Sequence, residues 1–124
     1  MDTFIDIDGE EFDKVPGDLA TRMFHELVIG RVDGKSLTCL RSDERCFLMF
    51  MESWEGPSFI SLSQEEQEGE LRFELSNGEV DTYPAELTVP LATAGEAIRT
   101  FHASGERSGQ VHWEMDEVED EAED

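Results

Sequence analysis

The segment 70–83 joins an alternating strand pattern to an Asn-Gly pair, and it constrains the fold more tightly than any other stretch. Its first half, ELRFEL, has leucine or phenylalanine at every second position, which is the period of a strand with one buried face. Asn77-Gly78 follows and predicts a type I′ turn, because that two-residue turn requires positive φ at both positions. We therefore predict an antiparallel β-hairpin that ends at Pro84.

Other short runs rich in apolar residues predict further strands, separated by turn-like residues such as Ser-Asp-Glu and Trp-Glu-Gly-Pro. The polar positions of the run 4–7 are charged, which favours an edge strand. The run 46–51, CFLMFM, is apolar on both alternating faces and is typical of a central strand covered on one side by helices. The predicted strands are 4–7, 36–41, 45–52, 57–62, 86–89 and 110–115.

A first helix is predicted over 18–29. The pair Pro16-Gly17 breaks the chain, Asp18 offers an N-cap oxygen, and apolar residues then recur at helical spacing. Gly30 stands where such a helix would end.

A second helix is predicted to begin at Thr93. Thr93 and Glu96 have the spacing of a capping box, in which each side chain bonds the backbone N–H of the other residue. Gly105 lies where a left-handed C-terminal cap is expected. The predicted apolar stripe consists of Ala94, Ala97, Ile98 and Phe101.

This order of elements predicts an α+β fold with a single domain, a mainly antiparallel meandering sheet and two helices packed on it. The predicted domain covers 1–115. The acidic tail 116–124 contains almost no apolar residues and is expected to be disordered alone.

The formal net charge is −22, from 31 acids against nine lysines and arginines. Residues 1–13 hold six acids and no base, and residues 114–124 hold eight acids and no base. A surface of this kind repels nucleic acid and anionic lipid and attracts a basic protein. We therefore predict a basic protein partner, with no direct contact to nucleic acid or to a membrane.

The sequence also predicts a cytoplasmic protein. The first 16 residues carry acids where a signal peptide has a basic end, and the run 46–51 is too short to cross a bilayer. Cys39 and Cys46 are predicted to be buried free thiols, because a reducing compartment disfavours disulfides. A two-residue turn at Ser42-Asp43 would nevertheless place them opposite each other across a hairpin.

Motifs that carry chemistry are missing from the sequence. The three histidines lack metal-ligand spacing, and the acidic run 6–13 does not fit a calcium loop, because Phe4 and Val15 would occupy positions that need oxygen ligands. The cysteines fall in apolar strands, and no glycine-rich phosphate loop is present. We predict no catalytic residue, no metal and no cofactor, and so a protein that is not an enzyme.

Trp54 is the leading candidate for a contact with a partner. It lies in a predicted turn beside acids, and an exposed tryptophan ringed by acids suits a binding hot spot. Trp113 alternates with apolar neighbours and is predicted to pack in the core or half in the core. Solvated surface is the alternative interpretation of the acids. The candidate partner-binding residues are Glu52, Trp54, Glu55, Glu65, Glu66 and Glu68.

Several short motifs follow one another in order between 69 and 115: ELSNGEVD (74–81), YP (83–84), VP (89–90), the apolar helix 94–101, GER (105–107) and WE (113–114). This ordered set resembles immunity family one of bacterial polymorphic toxin systems. Residues 1–62 are similar to the family in general layout, and Ser108 stands where the family more often has proline.

The resemblance implies a small cytosolic antitoxin that binds a cognate toxin domain in a 1:1 complex and neutralises it. It also implies a deaminase-fold toxin acting on cytosine, since the family is frequently associated with such toxins. A protein acting on DNA tends to have a basic cleft, which an acidic protein can cover.

Two other functions stay open from the sequence. An acidic adaptor or DNA-mimicking regulator of a host DNA-binding protein would carry the same charge. A salt-adapted small enzyme would also be rich in acids, but it would spread them evenly, whereas the acids of this chain cluster at its ends.

Overall fold

A computed structural model describes residues 3–15, 24–53, 58–75 and 77–116. One α-helix and one 3₁₀ helix lie in these ranges, α1 at Leu91–Ser104 and the 3₁₀ helix at Ala85–Leu87. No helix of the described part is long and apolar enough to span a membrane. The strands are β1 Thr3–Ile7, β2 Glu10–Phe12, β3 Glu26–Arg31, β4 Ser36–Ser42, β5 Arg45–Met51, β6 Ser58–Leu62, β7 Glu70–Glu74, β8 Val80–Pro84, β9 Thr88–Pro90 and β10 His112–Asp116.

The main sheet has the strand order β10-β6-β5-β4-β3-β1-β2, and β9 adds a short pairing to β5. Every neighbouring pair is antiparallel, so the predicted antiparallel meander is confirmed. β7 and β8 form a separate two-stranded hairpin. The hairpin predicted over 70–83 is therefore confirmed.

β5 lies in the middle of the sheet and is buried on both faces, as the CFLMFM run predicts. Cys46, Leu48 and Phe50 point into the larger core, which α1 closes. Phe47 points the other way, into a smaller core under the β7–β8 hairpin. The strand is apolar on both faces because a helix covers one of them and a hairpin covers the other.

The hairpin packs on the sheet through aromatic rings. Phe73 has no exposed surface and joins Leu40 and Phe47 in the smaller core. The rings of Phe47 and Tyr83 are stacked, with centroids 4.2 Å apart. Burying such rings stabilises a two-stranded hairpin that would be marginal alone in water.

The prediction of two helices on the sheet is wrong, because residues 26–29 of the predicted helix 18–29 lie in β3. Leu27 and Ile29 are fully buried on one face, so the same apolar residues also satisfy the two-residue period of a strand. β1 and β4 flank β3 and bond its backbone on both sides, and this pairing overrides local helix propensity. Residues 16–23, with Asp18, lie outside the described residues.

β1 is a strand but not an edge strand. It pairs with β3 on one side and with β2 on the other. Ile5 and Ile7 are buried in the larger core. The edge position falls instead to β2, whose exposed Glu10 and Glu11 carry the charge that protects an open edge.

The second predicted helix exists, but its start differs from the prediction. α1 begins at Leu91, its N-cap residue is Pro90, and no side-chain oxygen bonds the N-terminal N–H groups. The capping box at Thr93 does not form, because the chain passes directly from β9 into the helix. The predicted cap at Gly105 is confirmed, with φ of 78°, and the four residues of the predicted stripe are buried.

Two turns differ from their predictions by one residue. Leu75 N–H donates to the carbonyl oxygen of Glu79 at 2.7 Å, so the hairpin loop is one residue longer than the two-residue turn predicted. Gly78 has φ of 93° in that loop, as expected for a three-residue hairpin loop. The β4–β5 turn is at Asp43-Glu44, since Ser42 pairs with Arg45.

This β4–β5 register settles the placement of the cysteines. Cys39 pairs with Leu48 and Arg41 pairs with Cys46, so the two cysteines are diagonal rather than opposite. Both are buried and free, which confirms the prediction for the thiols.

Candidate functional site

A cleft of about 620 Å³ opens beside the segment that follows α1. The left-handed backbone of Gly105 ends the helix there, and its N–H donates to the Phe101 carbonyl oxygen at 2.7 Å. The Arg31 side chain packs against Gly105 so closely that a Cβ atom would lie 2.9 Å from its guanidinium carbon. The cleft is lined by Lys35, Phe50, Glu52, Gly105, Glu106, Arg107, Ser108, Gly109, Val111 and Trp113.

Ser108 organises the loop that forms one wall of this cleft. Its Oγ accepts the N–H of Gln110 at 3.1 Å, and its carbonyl oxygen accepts the N–H of Val111 at 3.4 Å. The same carbonyl accepts the indole Nε1–H of Trp113 at 3.0 Å. The loop is thereby tied to β10, and Trp113 is half-buried against the larger core, as predicted for it.

Aromatic rings form the floor of the cleft, and Arg107 lies over them. The guanidinium carbon of Arg107 is 4.1 Å from the centroid of the Phe59 ring and 5.5 Å from that of Phe50. Phe50 also meets Phe101 edge-on, with centroids 5.8 Å apart, and lies 6.3 Å from Trp113. These contacts hold an exposed cation in a defined place.

The cleft carries both signs of charge. Lys35 and Arg107 line it together with Glu52 and Glu106. Nearby, the backbone N–H of Lys35 donates to Asp33 at 3.1 Å, and this bond lowers the pKa of the Asp33 carboxyl. Two bases and two acids line the cleft, so the cleft itself is not an acidic surface.

The opposite end of the sheet is acidic. It comprises the β1–β2 turn, the β4–β5 turn, the 3₁₀ helix and the loop after β6. Arg41 and Arg45 lie beside the β4–β5 turn of this end. We define the acidic end by the exposed carboxylates of Asp8, Asp43, Glu44, Glu65, Glu66, Glu68 and Glu86.

The structure divides the predicted partner-binding residues between the two ends. Glu52 follows β5 and lines the cleft. Glu65, Glu66 and Glu68 are exposed at the acidic end, about 20 Å away along the seven residues of β5. Trp54 and Glu55 lie outside the described residues. The described members of the set therefore do not form one continuous surface.

Neither end has the composition of a metal or thiol site. Within the described ranges no group of three histidine, cysteine, aspartate or glutamate side chains could hold a metal ion. A hydrogen bond with the Cys46 thiol, together with burial, raises the pKa of the Cys39 thiol well above its ordinary value. Cys39 therefore stays a protonated, buried thiol at neutral pH, which disfavours a nucleophilic role.

Reasoning from the sequence does not identify two of the residues that line the cleft, Arg107 and Lys35. Arg107 belongs to the GER motif, yet nothing in the motif indicates that its guanidinium rests on two phenylalanines. Lys35 reaches the cleft only because β3 and β4 turn back beside β5. The signal that could have located the cleft is the C-terminal cap at Gly105, because the chain must change direction there.

These features define a small α+β protein with a mixed-charge cleft at one end of its sheet and an acidic end opposite. The sequence model of the family described as Immunity protein Imm1 matches residues 5–115. The chain belongs to this family, and the match extends the resemblance of 69–115 into the N-terminal half. Membership identifies a toxin-neutralising immunity protein, an inhibitor rather than an enzyme. None of the curated proteins matches the chain.

Proposed function

We propose that this immunity protein neutralises its toxin domain in a 1:1 complex by covering a basic substrate cleft with its acidic end. Family membership supplies the toxin as partner. The observation that carries the rest is the concentration of exposed carboxylates at one end of the sheet while the other end is mixed in charge. A field of one sign attracts a basic surface and speeds its encounter.

The proposed toxin is a deaminase-fold domain that acts on nucleic acid in the cytoplasm. Such an enzyme needs cationic groups along the path of the phosphate backbone. An acidic protein can occupy that path without touching nucleic acid itself. Support comes from the family resemblance and from the sign of the charge.

Glu65, Glu66 and Glu68 are proposed to make the main electrostatic contact, because they are exposed together in one loop of the acidic end. The variant carrying Glu65→Gln, Glu66→Gln and Glu68→Gln should associate with the toxin domain about tenfold more slowly at low salt. A matched control neutralises three exposed carboxylates elsewhere, with Glu11→Gln, Asp13→Asn and Glu106→Gln.

The first experiment identifies the partner by co-purification from the source cell and measures inhibition of its deaminase activity at equimolar protein. Association is then followed as salt increases. A 1:1 complex whose association slows with salt, and slows more in the loop variant than in the control, supports the proposal. Association insensitive to salt would refute the electrostatic part. Recovery of a housekeeping DNA-binding protein would instead favour the DNA-mimic regulator.

Trp54, with Glu52 and Glu55, is proposed as a separate contact. A tryptophan hot spot loses about 2 kcal/mol or more of binding free energy when it is truncated to alanine. Trp54→Ala should therefore weaken toxin binding by at least that amount. An affinity equal to that of the wild type would remove Trp54 from the interface.

A further inference from the structure

The loop 63–69, which carries three of the carboxylates of the acidic end, is anchored by hydrogen bonds at its start. Ser63 N–H donates to the Glu86 carbonyl oxygen at 2.7 Å. The Ser63 hydroxyl donates to the Glu65 carbonyl oxygen at 2.6 Å and accepts the Glu65 N–H at 3.2 Å. Gln64 Nε2 donates to the Gln110 carbonyl oxygen at 2.9 Å. We call residues 63–69 the acidic loop.

Arg45 lies at the base of this anchoring. Its Nε donates to Thr88 Oγ1 at 3.0 Å, and its Nη2 donates to the Thr88 carbonyl oxygen at 2.8 Å. Nη2 also reaches Ser63 Oγ at 3.5 Å. Thr88 in turn donates its hydroxyl to the Ala85 carbonyl oxygen at 2.7 Å. The guanidinium thus connects β5 both to Ser63 and to the 3₁₀ helix that bonds Ser63 through Glu86.

Arg45 also affects the acidic loop through its charge. Glu65, Glu66 and Glu68 repel one another. Two further acids lie close by: Glu86 is in the 3₁₀ helix bonded to Ser63, and Glu44 is in the β4–β5 turn next to Arg45. Repulsion of this kind favours an expanded loop. Arg45 is half-buried beside Ser63 and Glu65, where screening by salt is weaker than at the surface, so its charge offsets part of that repulsion.

We propose that Arg45 is a positioning residue for toxin recognition: it holds the acidic loop in one shape and supplies the countercharge beneath it. The inference rests on the proposed function, because it concerns how the same surface is presented. A loop that is already ordered loses less conformational freedom on binding, which chiefly slows dissociation of the complex. The partner this suits is a folded basic surface with cations at fixed spacing.

The first test uses the isolated protein and needs no toxin. Arg45→Gln should increase amide hydrogen exchange at Ser63 and Glu65 at least tenfold, and Arg45→Lys should lie between the variant and the wild type. The Leu48 amide, which donates to Ser61 Oγ at 3.0 Å inside the core, should keep its protection. Arg72→Gln, an equal charge change on the exposed face of β7, is the matched control and should leave all three amides unchanged.

Exchange that rises equally at Leu48 would show general destabilisation and overturn the proposal, as would unchanged exchange at Ser63 and Glu65. Ser63→Ala provides a second route, since it removes the hydroxyl while keeping Arg45 and β5 intact. It should loosen Glu65 as Arg45→Gln does. Protection of Glu65 equal to the wild type in both variants would contradict positioning of the loop.

The second test measures dissociation from the toxin domain recovered with the wild-type protein. Arg45→Gln should dissociate at least fivefold faster, with the rate partly restored by Arg45→Lys and unchanged by Arg72→Gln. Dissociation of Arg45→Gln at the wild-type rate would overturn the inference even if the loop is loosened. Failure of the wild-type protein to bind any toxin domain would contradict the proposed function instead, so the two failures are distinguishable.

Discussion

Cys39 and Cys46 show how a residue's role depends on its neighbours across the sheet. The sequence predicts buried free thiols from the reducing compartment and the apolar strands, and both cysteines are buried and free. It could not predict that the thiols are diagonal, because that follows from a turn placed one residue later than expected. Glu52 and Glu65 are a similar case, since no local pattern indicates that they lie at opposite ends of the sheet.

The thiols lead to a prediction on alkaline stability. The pKa of Cys39 is raised in the folded protein above its ordinary value of 9.0, so the unfolded chain loses this proton first as pH rises. The free energy of unfolding should therefore be unaffected by Cys39 below about pH 8 and fall above about pH 9. In Cys39→Ala the slope should be shallower by up to about 1.4 kcal/mol per pH unit, as measured by urea unfolding between pH 8 and 10.5. Equal slopes in the two proteins would contradict the raised pKa.

At the scale of elements, periodicity identified the strands better than the helices. The hairpin, β4, β5 and β6 follow from alternation bounded by turn residues, and all are present. The sequence predicts a helix where β3 lies because Leu27 fits both periods, and only the neighbouring strands decide between them. The predicted start of α1 differs from the observed one for a related reason, since pairing of β9 with β5 brings Pro90 to the N-cap position of the helix.

The end of α1 allows a sharper test of an element boundary. Gly105→Ala must adopt a left-handed backbone and meet the Arg31 side chain at 2.9 Å. The strain should lower the free energy of unfolding by about 1–2 kcal/mol, measured by chemical denaturation. Gly109→Ala is the matched control in the same loop, because Gly109 has no positive φ and open space at its Cβ position. Equal stability of Gly105→Ala and Gly109→Ala would mean that the cap does not require glycine.

At the scale of the whole molecule, the charge is asymmetric as well as large. The sequence predicts the sign of the partner from a net charge of −22, and it places much of that charge in the terminal segments. It could not predict that the folded part separates an acidic end from a mixed-charge cleft, because this separation depends on which turns share an end of the sheet. The same surface that suits a basic partner costs stability while the protein is alone, since its carboxylates repel one another.

This cost predicts that salt stabilises the isolated protein. Raising sodium chloride from about 0.01 M to about 0.1 M shortens the Debye length from about 30 to about 10 Å, which weakens repulsion between the carboxylates. The Tm should rise by about 3–5 °C, equivalent to about 1 kcal/mol for a chain of this size.

The Glu65→Gln, Glu66→Gln, Glu68→Gln variant should have a higher Tm than the wild type at low salt and gain less from added salt. The control at Glu11, Asp13 and Glu106 should gain as much as the wild type. A Tm that falls with salt, or equal gains in the two variants, would show that the acidic end is not a site of repulsion. A loop variant that is more stable yet binds toxin more slowly would show that this surface is maintained for its partner, at the expense of the free protein.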